Sequence, residues 1–333
     1  MRVSVLALLL GLAPLCAFAN EARLPQLKLD PTRTTISGIS SGAYMAQQLH
    51  LAYSDHVAGA AFLAGGPWHC AQGSLSIALA QCMAPTADKG PDVDVLAAAA
   101  KDAAAAGQIA PLRGLVGDRV LVLHGKGDLT VAQSLSTASV ALYRKIAPEA
   151  KLSEDLTRSF SHTFPTLDAG SACEVSAAPY IGRCGFDAAA EIFASLLGKP
   201  PRPADVAHGK LLRFDQRGYQ GEGDAFLAGE GYVYVPDACA RGERCGLHIA
   251  LHGCQQNADT LGEKFVRDTG YNRWADIYSV VVLYPQTRAS LAPLNPKGCW
   301  DWWGYSGVTY DTRDGVQMRA VAAMAAALGA PLR

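Results

Sequence analysis

Short apolar runs closed by glycine or proline alternate with helix-period stretches along most of this 333-residue chain. Residues 58–64 run into Gly65-Gly66, 119–123 into His124-Gly125, 247–251 into His252-Gly253, and 279–284 into Pro285. Runs this short and continuously apolar fit strands buried on both faces, and the helical stretches between them fit crossovers. The pattern predicts an α/β fold, a mostly parallel sheet flanked by helices. A β-prone Thr34-Thr35-Ile36 precedes a helical stretch at 43–53, and a further strand is expected at 151–158. A strand pair is expected at 210–215 and 231–236, and an Ala-rich surface helix over 95–106 ends at Gly107.

No repeat or low-complexity tract interrupts this order. Pro200-Pro201-Arg202-Pro203 is the one internal linker-like segment, since three prolines in four residues suit neither a helix nor a central strand. Neither side of it holds a complete set of catalytic groups, so residues 20–333 are read as one domain. The chain opens with Met1-Arg2, an apolar run at 3–15 and Ala17-Phe18-Ala19, the form of a signal peptide cut after residue 19. That apolar run is shorter than the roughly 20 residues a membrane span needs. A secreted or periplasmic destination follows, with no membrane span. A net charge of −1 excludes a basic nucleic-acid-binding face.

Nine cysteines minus Cys16, removed with the signal, leave eight. An even set in an exported chain, with no CxxC spacing, favours disulfides over a metal site. Eight cysteines allow about 105 pairings, so spacing alone does not decide between them. The short-loop choice is Cys70–Cys82, Cys173–Cys184 and Cys239–Cys245, which leaves Cys254 for Cys299.

The sharpest chemical signal is Gly38-Ile39-Ser40-Ser41-Gly42 between a strand and a helix. This GxSxG pattern suits a nucleophile elbow, in which the serine sits on a strained turn and larger neighbours would clash. A serine hydroxyl needs a histidine to take its proton and a carboxylate to orient that histidine. After the strand at 119–123 comes His124-Gly125-Lys126-Gly127-Asp128, which supplies Asp128 as the acid. After the strand at 151–158 comes Ser161-His162-Thr163, which supplies His162 as the base. The remaining histidines are read as structural, save that His252 opens a further loop.

An oxyanion hole needs two backbone N–H groups, one from the residue after the nucleophile and one from a loop that follows a strand. Ser41 and Cys254, in His252-Gly253-Cys254-Gln255-Gln256, are the two expected donors. In the common order this second loop precedes the nucleophile, whereas here it follows by more than two hundred residues. Circular permutation accounts for that inversion. Trp300, Trp302 and Trp303 offer flat apolar surface beside Cys299. Strand-like alternation would put Trp300 and Trp302 on one face and Trp303 on the other, and Trp303, with Trp302 beside it, is the candidate substrate contact. The chemistry requires no metal and no cofactor.

Taken together, the motifs around Ser40, Asp128, His162 and Cys254, with Cys299-Trp300-Asp301-Trp302-Trp303-Gly304-Tyr305, resemble single-domain polyhydroxybutyrate depolymerases with a circularly permuted α/β-hydrolase domain. The resemblance spans nearly the whole chain after residue 19. It implies Ser40, Asp128 and His162 as a triad, Cys254 as an oxyanion donor, and extracellular cleavage of a hydroxyalkanoate polyester or its oligomers. A feruloyl or acetylxylan esterase shares the same plan, and a noncatalytic binding protein on the same fold is the reading from a different class.

Overall fold

The structure, a computed structural model, describes residues 23–86 and 89–333. The segment read as a signal peptide, with Cys16, lies outside the described residues. In chain order the strands are β1 (Leu29–Ile39), β2 (Gly59–Leu63), β3 (Arg119–Leu123), β4 (Lys151–Asp155), β5 (Phe164–Thr166), β6 (Ser171–Ala172), β7 (Ile181–Arg183), β8 (Lys210–Asp215), β9 (Glu230–Val235), β10 (Cys245–Leu251) and β11 (Val280–Tyr284). The helices are α1 (Ser41–Ala52), α2 (Leu75–Gln81), α3 (Val93–Ala105), α4 (Gln133–Ile146), α5 (Ala188–Leu197), α6 (Asp237–Ala240), α7 (Ala258–Leu261), α8 (Lys264–Asp268), α9 (Tyr271–Tyr278) and α10 (Val316–Leu328).

Eight strands make one sheet in the order β4-β3-β2-β1-β10-β11-β9-β8. The six from β4 to β11 are parallel, and β9 and β8 join at the far edge in antiparallel fashion. β2, β10 and β11 are buried at every position, as strands covered on both faces must be. Alternate residues of one strand therefore feed opposite cores. Ile36 and Ile249 pack with residues of α1, α3 and α10. Ile39, Ala250 and Val282 pack with residues of α5, α8 and α9. The Ala-rich helix α3 buries only Leu96, Ala97, Ala100 and Ala103, which is one face.

The centre of the sheet is a seam between distant parts of the chain. β1 pairs with β10 from Thr34 opposite Leu247 to Gly38 opposite Leu251, so the strand that leads into Ser40 and the strand that leads into the 252–256 loop end side by side. The two ends of the described chain also meet, Leu27 N–H donating to Leu328 O at 3.0 Å. A ring of elements with adjacent ends can be opened at a different loop without changing the packing. The architecture is an α/β-hydrolase fold, circularly permuted, its first half running β1 to β4 and its second β8 to β11.

Two features differ from the sequence pattern. The strand expected over 151–158 stops at Asp155, because the Asp155 carboxylate accepts the N–H and the hydroxyl of Thr157 and turns the chain. A second sheet of three short strands, in the order β5-β7-β6, follows it and has no counterpart in the apolar pattern. The segment 200–203 forms neither helix nor strand between α5 and β8.

Candidate active site

β1 turns into α1 through Ser40, whose φ of 58° and ψ of −124° hold it in a conformation that side chains rarely adopt. The flanking glycines make the turn possible. A Cβ on Gly38 would lie 2.1 Å from Gly42 O, and one on Gly42 would lie 2.4 Å from Leu251 O. Ser40 N–H donates to Leu63 O at 2.9 Å, which fixes the turn against the end of β2. The hydroxyl makes no hydrogen bond among the described residues and lines an apolar pocket of about 400 Å³. The N-terminus of α1 opens at the same point, placing its positive end there.

Asp128 sits in the loop after β3. Its Oδ1 accepts the N–H groups of Thr130 and Val131 at 2.8 and 2.9 Å. Its Oδ2 meets His162 Nδ1 at 2.7 Å and His124 Nε2 at 3.2 Å. Burial by itself would raise this carboxyl, but the hydrogen bonds from His124, His162 and the Val131 N–H hold it well below the usual carboxylate range. The loops that carry Asp128 and His162 are fastened to each other. Lys126 N–H donates to Arg158 O at 2.8 Å and Gly127 N–H to Phe160 O at 3.1 Å. Gly125 has to be glycine for this approach, since a Cβ there would lie 2.0 Å from Phe160 O. The Cys173–Cys184 disulfide and the bond from Ser161 N–H to Cys173 O brace the other side of the histidine loop. His162 lines the pocket that Ser40 lines, and its Nε2 has no partner among the described residues.

The loop after β10 closes the third side. An ideal Cβ on Gly253 would lie 3.2 Å from Ser40 Cβ, so this backbone runs directly beside Ser40. His252 is fully buried. Its Nδ1 is 2.7 Å from Gly253 O, and its Nε2 accepts Thr287 N–H at 3.2 Å. An Nε2 that accepts and an Nδ1 beside a carbonyl define a neutral imidazole with its proton on Nδ1. Burial pushes it down to about 4, consistent with that state. The N–H groups of Ser41 and Cys254 make no hydrogen bond among the described residues. Cys254 is tied by a disulfide to Cys299, and both line the pocket. The other two disulfides are Cys70–Cys82, against the pocket residue Tyr44 through its bond to Cys82 O, and Cys239–Cys245 beside β10.

The tryptophan segment departs from the alternation expected of it. Residues 299–305 form no strand, because the Asp301 carboxylate collects the N–H groups of Trp303, Gly304, Tyr305 and Ser306 and curls the chain around itself. Trp300 is driven into the main core, 5.5 Å from the His252 ring. Trp302 and Trp303 both line the pocket, packed edge to face 5.4 Å apart, with Trp302 stacked 4.7 Å from Tyr44.

Sequence reasoning passed over His124 and Gln256. His124 is fully buried, bonded to Ser136 Oγ at 2.7 Å and Val131 O at 3.0 Å as well as facing Asp128. The available signal was its spacing of four residues from Asp128 within a strand-terminal loop. Other histidines are held elsewhere: His50 by Asp118 and Tyr143, His69 by Asp311, and His248 by Thr35 and Ser37. Among the described residues no group of three His, Cys, Asp or Glu is placed to hold a metal, and no helix is long and apolar enough to cross a membrane.

Residues 231–329 match the family model described as Esterase PHB depolymerase. The chain is 40% identical over 306 residues to a poly(3-hydroxybutyrate) depolymerase of Delftia acidovorans, covering 90% of this chain and 60% of that protein. It is 35% identical over 327 residues to a polyhydroxybutyrate depolymerase of Talaromyces funiculosus, covering 94% of this chain and 93% of that one. Among solved structures, a PHB depolymerase variant complexed with an R3HB trimer superposes with a TM-score of 0.83 at 32% identity, over 93% of this chain and 99% of the other. The PHB depolymerase of Penicillium funiculosum matches equally well. With the Ser40 turn, the Asp128–His162 pair and the 252–256 loop all following the carboxyl ends of strands in one sheet, and with a relative 35% identical that is covered over 93% of its length, this chain belongs to the PHB depolymerase family.

Proposed function

We propose that the protein is an exported serine esterase that cleaves a poly-3-hydroxybutyrate-like polyester or its oligomers. One observation carries the reading. A hydroxyl on a strained turn, an imidazole held by a buried carboxylate 2.7 Å away and two unoccupied backbone N–H groups border one apolar pocket.

In this reading Ser40 Oγ attacks the ester carbonyl while His162 Nε2 takes its proton, and Asp128 Oδ2 holds the other side of the ring. The carbonyl oxygen, now negative, is received by the N–H groups of Ser41 and Cys254. The C–O bond then breaks, and His162 returns the proton to the departing alkoxide as a hydroxyl-ended fragment. Water, deprotonated by the same histidine, attacks the acyl-enzyme and frees the acid and Ser40. Trp302, Trp303 and Tyr44 supply flat apolar surface suited to a methyl-bearing polyester backbone. The relative solved with an R3HB trimer supports that substrate class for this chain. Four disulfides favour an oxidising destination, in keeping with the leader-like residues 1–19.

The test is a hydrolysis panel of polymer film, hydroxybutyrate trimer and acylated xylan, run with the protein and its Ser40→Ala variant. The reading expects release of 3-hydroxybutyrate or its dimer by the wild type alone. Faster cleavage of acylated xylan, or turnover that survives Ser40→Ala, contradicts it.

A further inference from the structure

Gln256 is 1% exposed, and both ends of its amide are engaged. Its Oε1 accepts Gly253 N–H at 2.7 Å, and its Nε2 donates to Pro179 O at 3.2 Å and Tyr180 O at 3.0 Å. Tyr180 O also accepts Phe164 N–H at 2.8 Å, and Phe164 lies two residues beyond His162. This one side chain therefore joins the loop beside Ser40 to the segment that holds the base.

Its effect on the loop is selective. Of three successive N–H groups, that of Gly253 is taken by Gln256 and that of Gln255 donates to Lys297 O at 2.7 Å. Only the N–H of Cys254, between them, is left open. We propose that Gln256 is a positioning residue, which leaves Cys254 N–H as the donor facing the reacting oxygen and fixes its placement relative to His162. The inference rests on the reading of Cys254 N–H as an oxyanion donor. An amide is the side chain this task requires, because a carboxylate of the same size can receive Gly253 N–H but cannot donate to two carbonyls. A thioether of similar length can do neither strongly.

The role differs from mere packing in what it changes. A displaced oxyanion donor weakens binding of the transition state and leaves ground-state binding alone, so kcat falls while KM holds. The experiment compares the full chain with its Gln256→Glu, Gln256→Met and Ser40→Ala variants on p-nitrophenyl butyrate, with a trifluoromethyl ketone as the tetrahedral analogue and thermal unfolding recorded for each. Gln256→Glu keeps the volume and the contact to Gly253, so it reports the role even where the methionine variant loses its fold.

The expected result is a fall in kcat of about 10- to 100-fold for Gln256→Glu, with KM within about threefold and the ketone weakened by a similar factor to kcat. Wild-type kcat in Gln256→Glu, or a change confined to KM, overturns the positioning role. Turnover retained by Ser40→Ala overturns instead the esterase reading beneath it.

Discussion

At Asp128 four donors converge on a carboxylate that is buried. Thr130 and Val131 N–H fix one oxygen, while His162 and His124 face the other. A side chain so held keeps its charge in a place where desolvation would otherwise remove it, and it keeps the His162 ring in one tautomer. Asp128→Asn presents an amide to His162 Nδ1 and favours the wrong tautomer. It is expected to lower kcat about 10⁴-fold on a soluble ester while the fold persists. A loss of less than tenfold would show that His162 is oriented by something else. At this scale the sequence was informative wherever chemistry imposes a local pattern: glycines at fixed offsets around Ser40, and an aspartate and a histidine each just past a strand. His124 was read as structural and Gln256 was given no role, because part of what holds each is backbone from elsewhere in the fold. Val131 O, Tyr180 O and Pro179 O carry no mark in a side-chain sequence.

At the scale of elements, the site is held by strand ends that abut without space for side chains. Gly42→Ala would drive a methyl into Leu251 O and His252 O, the carbonyls from which the loop to Gln256 departs. The expected cost is about 3 kcal/mol of stability, read by urea unfolding, together with a fall in kcat as β10 moves away from Ser40. Wild-type values of both would mean that the approach is looser than the structure places it. Most of the main strands were legible to within two residues, because a strand covered on both faces must be apolar throughout. Two regions were not. The loop at 299–305 is shaped by the Asp301 carboxylate rather than by periodicity, and this brings Trp302 and Trp303 to the same pocket. β5, β6 and β7 are two or three residues long and are defined by one another and by the Cys173–Cys184 bridge, too short for any period to register.

For the whole molecule, the inverted order of nucleophile and oxyanion loop already implied a permuted chain, and the β1–β10 seam with its adjoining ends gives that order its geometry. The pairing register itself could not be read beforehand, since the two strands lie over two hundred residues apart. The same compact interior sets how the protein responds to acid. Burial lowers His248 to about 3 and His252 to about 4, both under the ordinary value of 6.5. Below 6.5 the unfolded chain binds protons that these buried rings refuse, so stability declines as pH falls from there toward 4. Asp128, also depressed, adds a further decline below about 4. Urea unfolding at pH 7 and pH 5 should differ by up to about 2 kcal/mol for each buried histidine, the lower pH being less stable. Equal stability at the two pH values would show that these rings are protonated in the fold. The most direct measurement of the central claim exposes every serine of the intact protein to a fluorophosphonate and maps the adduct by peptide mass spectrometry. The account predicts a single adduct, on Ser40, that is lost in His162→Ala. No adduct, or one on any other serine, would contradict it.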